Sequence, residues 1–230
     1  MTDQATIEGI IRILFVCIII TAAYIISTRS LLSVVSVYAL QSLTLVAIAL
    51  ALWSLEGSLI LLAIAIVTFI SKVIIIPYFI ATIQEKIRIK RDIEFHYLDP
   101  TSSLLISMAL MLVIYLALAK IMQESPAQQS LFFFGAVLGI SLMLMGMMVT
   151  FSRKRAITKV LGFLSMENGV LLFGMFVTEL PFIIEFLIII DLIILVILTT
   201  ILSVGIDSTL EDYHKRLHRF HLYEDSEDVS

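Results

Sequence analysis

The sequence predicts an all-α fold, a polytopic membrane helix bundle of about seven transmembrane helices, with its N-terminus outside and its C-terminus cytoplasmic. Three observations carry that expectation. Apolar residues make up 60% of the 230-residue chain and mean hydropathy is +1.07, whereas a soluble domain is a little under half apolar. Apolar runs of about 20 residues recur along the chain, and such runs must be helical because lipid offers the backbone no hydrogen bonds. Basic residues, finally, are sorted between alternate connections rather than scattered.

Taken in order, the predicted spans are Gly9 to Ser27, Leu31 to Leu55, Ser58 to Ile83, Ser102 to Ile121, Leu131 to Phe151, Ile157 to Thr178 and Pro181 to Ser203. Residues 1–205 form the transmembrane domain, divided into a three-helix unit (1–83), a loop with a fourth helix (84–130) and a second three-helix unit (131–205). A cytoplasmic tail occupies 206–230. The start, "MTDQATIEGI", is acidic where a signal peptide needs a basic region, so the first span is expected to stay in the mature chain.

Orientation follows from the basic residues of the connections, which stay cytoplasmic. One face collects Arg29, then Lys86, Arg88, Lys90 and Arg91, then Arg153, Lys154 and Arg155, then Lys215, Arg216 and Arg219. The other face receives Arg12 and Lys120, while Lys72 and Lys159 fall inside spans. The loop "QEKIRIKRDIEFHYLD" (84–99) and the tail are expected along the cytoplasmic surface against phospholipid headgroups, with partner docking as the alternative. Net charge of −4 decides little when charge is so segregated.

Four polar residues stand at mid-depth where a span needs none: Gln41, Lys72, Glu167 and Asp191. Glu167, in "GFLSMENGVLLFG", is twelve residues beyond Arg155, or about 18 Å into the helix. Asp191 sits at the centre of "FLIIIDLIILVIL". An ionisable group at the centre of a span costs roughly 2.5 to 3.5 kcal/mol, so it faces the protein interior and marks an ion or proton path; helix-to-helix hydrogen bonding is the structural alternative. Lys72, in "TFISKVIIIPYFI", precedes Pro77 by five positions. Proline lacks the amide that would bond the carbonyl of Val73, so a kink and a freed carbonyl are expected beside the lysine. Snorkelling to either surface is the other reading of Lys72.

An internal repeat is also suggested. "RSLLSVVSVYALQS" from Arg29 and "RAITKVLGFLSMEN" from Arg155 each place a long polar side chain twelve positions after an arginine, so that Gln41 stands where Glu167 stands. Other features have structural readings. His214, His218 and His221 lie among basic residues of the tail, and the ten methionines are packing material. Glu179 and Glu185 are near the outer end of the last hairpin, where Glu185 is a candidate outer proton port. Gly162 and Gly169 are seven apart, on one helix face, and permit a close neighbour near Glu167. The one cysteine, Cys17, cannot by itself build an iron–sulfur centre, a thiolate zinc site or an internal disulfide. No phosphate-binding glycine loop, nucleophile triad or metal-binding run is present.

"TFISKVIIIP", "GFLSMENGVLL", "IIIDLIILVIL" and "YALQSL" resemble the component E membrane subunit of hydrogenase-4 and formate hydrogenlyase-type complexes, over most of the chain up to about Ser203. The last three spans are similar to the K subunit of respiratory complex I, a three-span protein with two buried glutamates. The resemblance implies a small non-redox subunit in the membrane arm of a complex I-like machine, in a bacterial or archaeal inner membrane. Other membrane subunits, antiporter-like ones among them, would be its partners, with no nucleic acid. It implies no cofactor bound by this chain, with iron–sulfur clusters and a metal centre in partner subunits. By position Glu167 and Asp191 match the two carboxylates of the K subunit, with two departures: Glu167 falls one helical turn away, and the second acid is an aspartate. One turn keeps the same face.

The expected mechanism makes Glu167 and Asp191 alternately protonated steps in a lateral proton or sodium path, with Lys72 and Gln41 extending the polar line. Moving or rehydrating one such group changes the proton affinity of its neighbour. Two rivals stay open at this point: a component of an Mrp-type cation/proton antiporter, and a structural linker without ion transfer.

Overall fold

The computed structural model describes residues 2–28, 30–87, 99–122, 130–153 and 156–177, and, in the last predicted span, 189–191, 193–194, 196–197 and 200. The described chain is helical, with no strand element. The elements are α1 (Thr2–Ser27), α2 (Leu31–Glu56), α3 (Leu59–Thr68), a π-helical segment (Phe69–Ile75), α4 (Ile76–Ile87), α5 (Pro100–Met122), α6 (Ser130–Ser152) and α7 (Ala156–Val177). Six described helices are long and apolar enough to cross a membrane, α3, the π segment and α4 together supplying the third. The protein is therefore a multi-pass membrane protein. Its seventh predicted span is helical at the positions described there.

Short connections force neighbouring spans to run antiparallel. The tightest is the α2–α3 turn, where Gly57 adopts φ 68° and its N–H donates to the carbonyl of Trp53. That left-handed conformation is open to glycine without steric cost, which is why the helix ends there.

The helices α6 and α7 make the closest pairing in the bundle, and glycines allow it. A Cβ on Gly146 would collide with the backbone of Met166, and one on Gly162 would lie 2.6 Å from the amide nitrogen of Thr150. Two turns along, Gly139 faces the backbone of Phe173, and Gly169 faces that of Met143. Each helix thus carries two glycines seven residues apart, the spacing that keeps small residues on one seam. The expectation for Gly162 and Gly169 is met, and their partners on α6 complete the seam.

Around that pair, α2 is the hub, packing on α1, α3, the π segment, α4 and α7, while α1 also packs on α6. The aromatic rings of Phe15 on α1 and Phe176 on α7 meet edge-on at 5.5 Å. By contrast, α5 is peripheral: 11% of its spanning window is buried, against 67% of that in α7. A bundle in lipid turns its least polar helix surfaces outward, so the polar side chains of α2, α7 and the π segment are gathered inside.

One corner at the basic face is held by a buried arginine. Arg153, at the end of α6 and 3% exposed, donates through Nη2 to the carbonyls of Ile25, Ile26 and Thr28 at 3.3, 3.2 and 2.7 Å. These are among the carbonyls that a helix end leaves without intrahelical donors, so Arg153 caps α1 from another helix. Close by on the same end, the hydroxyls of Ser103 and Ser152 meet at 3.2 Å, joining α5 to α6.

Candidate functional site

The site is built on three elements that bury polar groups against one another at mid-span. From α7 come Ser165, Glu167 and Asn168, from α2 come Tyr38, Gln41 and Ser42, and from the π segment comes Lys72; all are buried.

Lys72 owes its place to the local backbone. Pro77 supplies no N–H, and the turn before it is wide: the amide of Ile76 donates to the carbonyl of Ser71, five residues back. The expectation at this point is a kink with a free Val73 carbonyl, and the irregularity takes the form of a π-helical segment from Phe69 to Ile75. Such wide turns re-aim side chains and recur at functional positions. Here the segment directs Lys72 inward, 0% exposed, so the snorkelling alternative does not hold.

The Nζ of Lys72 lies 3.0 Å from Oε1 of Glu167 and donates to Oδ1 of Asn168 at 3.3 Å. With its oxygen engaged by the ammonium, the Asn168 amide turns its nitrogen toward α2, where Nδ2 donates to Oε1 of Gln41 at 3.2 Å and to Oγ of Ser42 at 3.1 Å. Ser165 donates a second bond to the same Gln41 oxygen, at 3.1 Å. The result is a continuous line from Ser42 and Gln41 through Asn168 to Lys72 and Glu167.

Asp191, on the helical stretch after residue 188, continues that line. Its carboxyl is close enough to Glu167 for the two side chains to interact directly, and the Tyr38 ring lies within electrostatic reach of both. Among the described residues neither oxygen of Asp191 and neither oxygen of Glu167 accepts a geometrically complete hydrogen bond, and the hydroxyls of Tyr38, Thr68 and Ser71 are likewise buried without one. Buried polar groups are ordinarily satisfied, and clusters of exceptions call for a mobile proton, an ion or water. The Nε2 of Gln41 is likewise without a partner among the described residues, while Glu167 keeps the Lys72 ammonium at 3.0 Å.

The structure therefore brings Gln41, Lys72, Glu167 and Asp191 to one cluster. Glu185 lies outside the described residues, as do Glu179, the three tail histidines and most of the 84–99 loop. Sequence reasoning passed over Ser165 and Tyr38. Serine and tyrosine are common in spanning helices and carry no formal charge, so depth alone does not single them out. No group of three or more His, Cys, Asp or Glu side chains that would hold a metal ion is present among the described residues.

Compared with known proteins, the chain matches no family model, no curated protein and no solved structure.

Proposed function

We propose that this protein is a membrane-arm subunit of a complex I-like or hydrogenase-type respiratory complex of a bacterial or archaeal inner membrane, contributing its buried cluster to redox-coupled proton or sodium translocation. One observation carries the reading: two buried carboxyls, Glu167 and Asp191, adjoin each other, and among the described residues the ammonium of Lys72 is paired with Glu167 alone. Ionised together, the three groups carry one negative charge in a medium that holds unpaired charge at a cost of several kcal/mol. A proton taken up between the carboxyls, or a sodium ion in its place, restores neutrality. Adjacent carboxyls that share one proton are a known solution to this problem.

In this mechanism Lys72 is the switch. Its ammonium holds Glu167 and Asn168 together; when it leaves Glu167 and keeps Asn168, Glu167 takes up the charge-compensating proton. Gln41 has an amide that neither gains nor loses a proton near neutral pH, so its part is to fix Asn168, and through it the resting place of Lys72. Ser165 holds Gln41 in turn. The drive comes from partner subunits, because moving a charge across the membrane costs about 2.3 kcal/mol per 100 mV and the chain's lone cysteine, Cys17, builds no redox centre.

The experiment is to replace Glu167 with Gln in the assembled complex and measure ion pumping against electron transfer. Loss of pumping with assembly intact supports the reading; unchanged pumping defeats it. The structural-linker reading has one observation in its favour, the amide network that ties α2 to α7, and it predicts that Glu167→Gln and Asp191→Asn together leave turnover and pumping as they were. An Mrp-type antiporter component would co-isolate with antiporter subunits alone, without iron–sulfur partners.

A further inference from the structure

Outside the buried cluster, a groove of about 550 Å³ opens between α1, α5 and α6, within the size range of small-molecule sites. On α1 it is lined by Arg12, Val16 and Ile19, and on α5 by Met108, Leu112 and Tyr115, with Leu138 of α6 also in its wall. Val16, Leu112 and Tyr115 are 54%, 59% and 42% exposed, so the groove is open to the bilayer from the side. The two helices run antiparallel here: the start of α5 meets the end of α1, where Ser27 and Pro100 line a common pocket. Arg12 consequently stands toward the same end of the groove as Tyr115, and Ile19 toward the same end as Met108.

The lining is thus apolar along its length and cationic at one end. Lys120 lies five residues beyond Tyr115 on α5, about 7.5 Å farther toward the membrane surface, and adds positive potential there. Glu8 is one turn outward from Arg12 on α1 and is not part of the lining. A guanidinium has five N–H donors in a fixed fork, enough to hold a phosphate while keeping an interaction within the chain. A groove that is apolar for its length and ends in a guanidinium and a phenol matches one chemistry, an acyl chain attached to an anionic headgroup. A second helix would need a long apolar face with no cation in it, and a neutral amphiphile brings no charge to match the guanidinium.

We propose that this groove binds an anionic phospholipid, its acyl chain lying along Val16, Ile19 and Leu112 and its phosphate held by Arg12. The site stands apart from the buried cluster and does not depend on the function proposed above.

The test is native mass spectrometry of the full chain, released from nanodiscs of phosphatidylcholine and phosphatidylglycerol in equal amounts. The wild type is expected to retain phosphatidylglycerol roughly fivefold over phosphatidylcholine, as one basic side chain near the surface provides. Arg12→Gln should bring that preference to about unity, and Val16→Trp, which fills the groove, should lower retention of both lipids. Both positions are exposed, and a single symmetric size-exclusion peak checks folding. Equal retention of the two lipids by the wild type overturns recognition of a net anionic headgroup; retention unchanged by Val16→Trp overturns the groove as the location.

Discussion

At the scale of single residues, the Lys72–Glu167 contact decides what the interior tolerates. Breaking a buried ion pair from one side leaves an uncompensated charge, which costs about 3 to 5 kcal/mol. Lys72→Met is therefore expected to lower the thermal stability of the purified protein sharply, by a free energy of that order, and Lys72→Met combined with Glu167→Gln should recover much of the loss. A double-mutant cycle by thermal unfolding in detergent checks this, and strict additivity would contradict direct coupling. Asn168 has a different weight. It bonds Lys72, Gln41 and Ser42 at once, so Asn168→Leu strands several buried polar groups, each costing about 1 to 3 kcal/mol. Depth makes Gln41, Lys72, Glu167 and Asp191 legible in the sequence itself, because an ionisable or amide side chain in an apolar run has no surface to reach. Which of them meet is not legible there, since the contacts join positions as much as 127 residues apart. Arg153 is legible only as a basic residue at a span end; that it is buried and caps α1 depends on where α6 ends relative to α1.

At the scale of elements, two devices place the cluster. The first is the π segment before Pro77. The proline marks an irregularity, but a missing amide can be met by a kink or by a wide turn, and the choice rests on packing against α2. Pro77→Ala restores an amide donor and is expected to favour an α-helical turn that rotates Lys72 off Glu167. Cysteine cross-linking between position 72 and position 167, each changed to Cys, should fall in the Pro77→Ala background, and equal cross-linking would show that the proline does not set the register. The second device is the glycine seam of α6 and α7. Because Gly146 and Gly162 face backbone rather than flexible side chains, a larger residue cannot be absorbed by a rotamer change. Gly146→Leu is expected to separate the two helices, displace Glu167 and lower the yield of folded protein, whereas Gly9→Leu, where a Cβ meets nothing within 4 Å, should be neutral. Expression and melting temperature of the two variants distinguish these outcomes. Seven-residue spacing in α7 points to a close neighbour; its identity as α6 follows only from the fold.

At the scale of the whole molecule, the arrangement is a bundle whose amide network joins α2 to α7 and in which, among the described residues, Lys72 pairs with Glu167 beside Asp191. Segregated Lys and Arg predict an outside N-terminus and a cytoplasmic C-terminus, which accessibility of single cysteines introduced at positions 3 and 228 to a membrane-impermeant thiol reagent, in a Cys17→Ser background, would check. The number of spanning helices can be read from hydropathy because the bilayer imposes length and polarity on every helix at once. The order in which helices pack cannot, since apolar faces of similar composition are interchangeable to lipid. Association with redox subunits is the part of the proposal that reaches beyond this chain, and co-isolation with iron–sulfur proteins is its expected outcome. The most direct measurement of the central claim is ion pumping per electron in the assembled complex carrying Glu167→Gln. Electron transfer that persists with pumping reduced tenfold or more is the predicted result; pumping and assembly both at wild-type levels would contradict it.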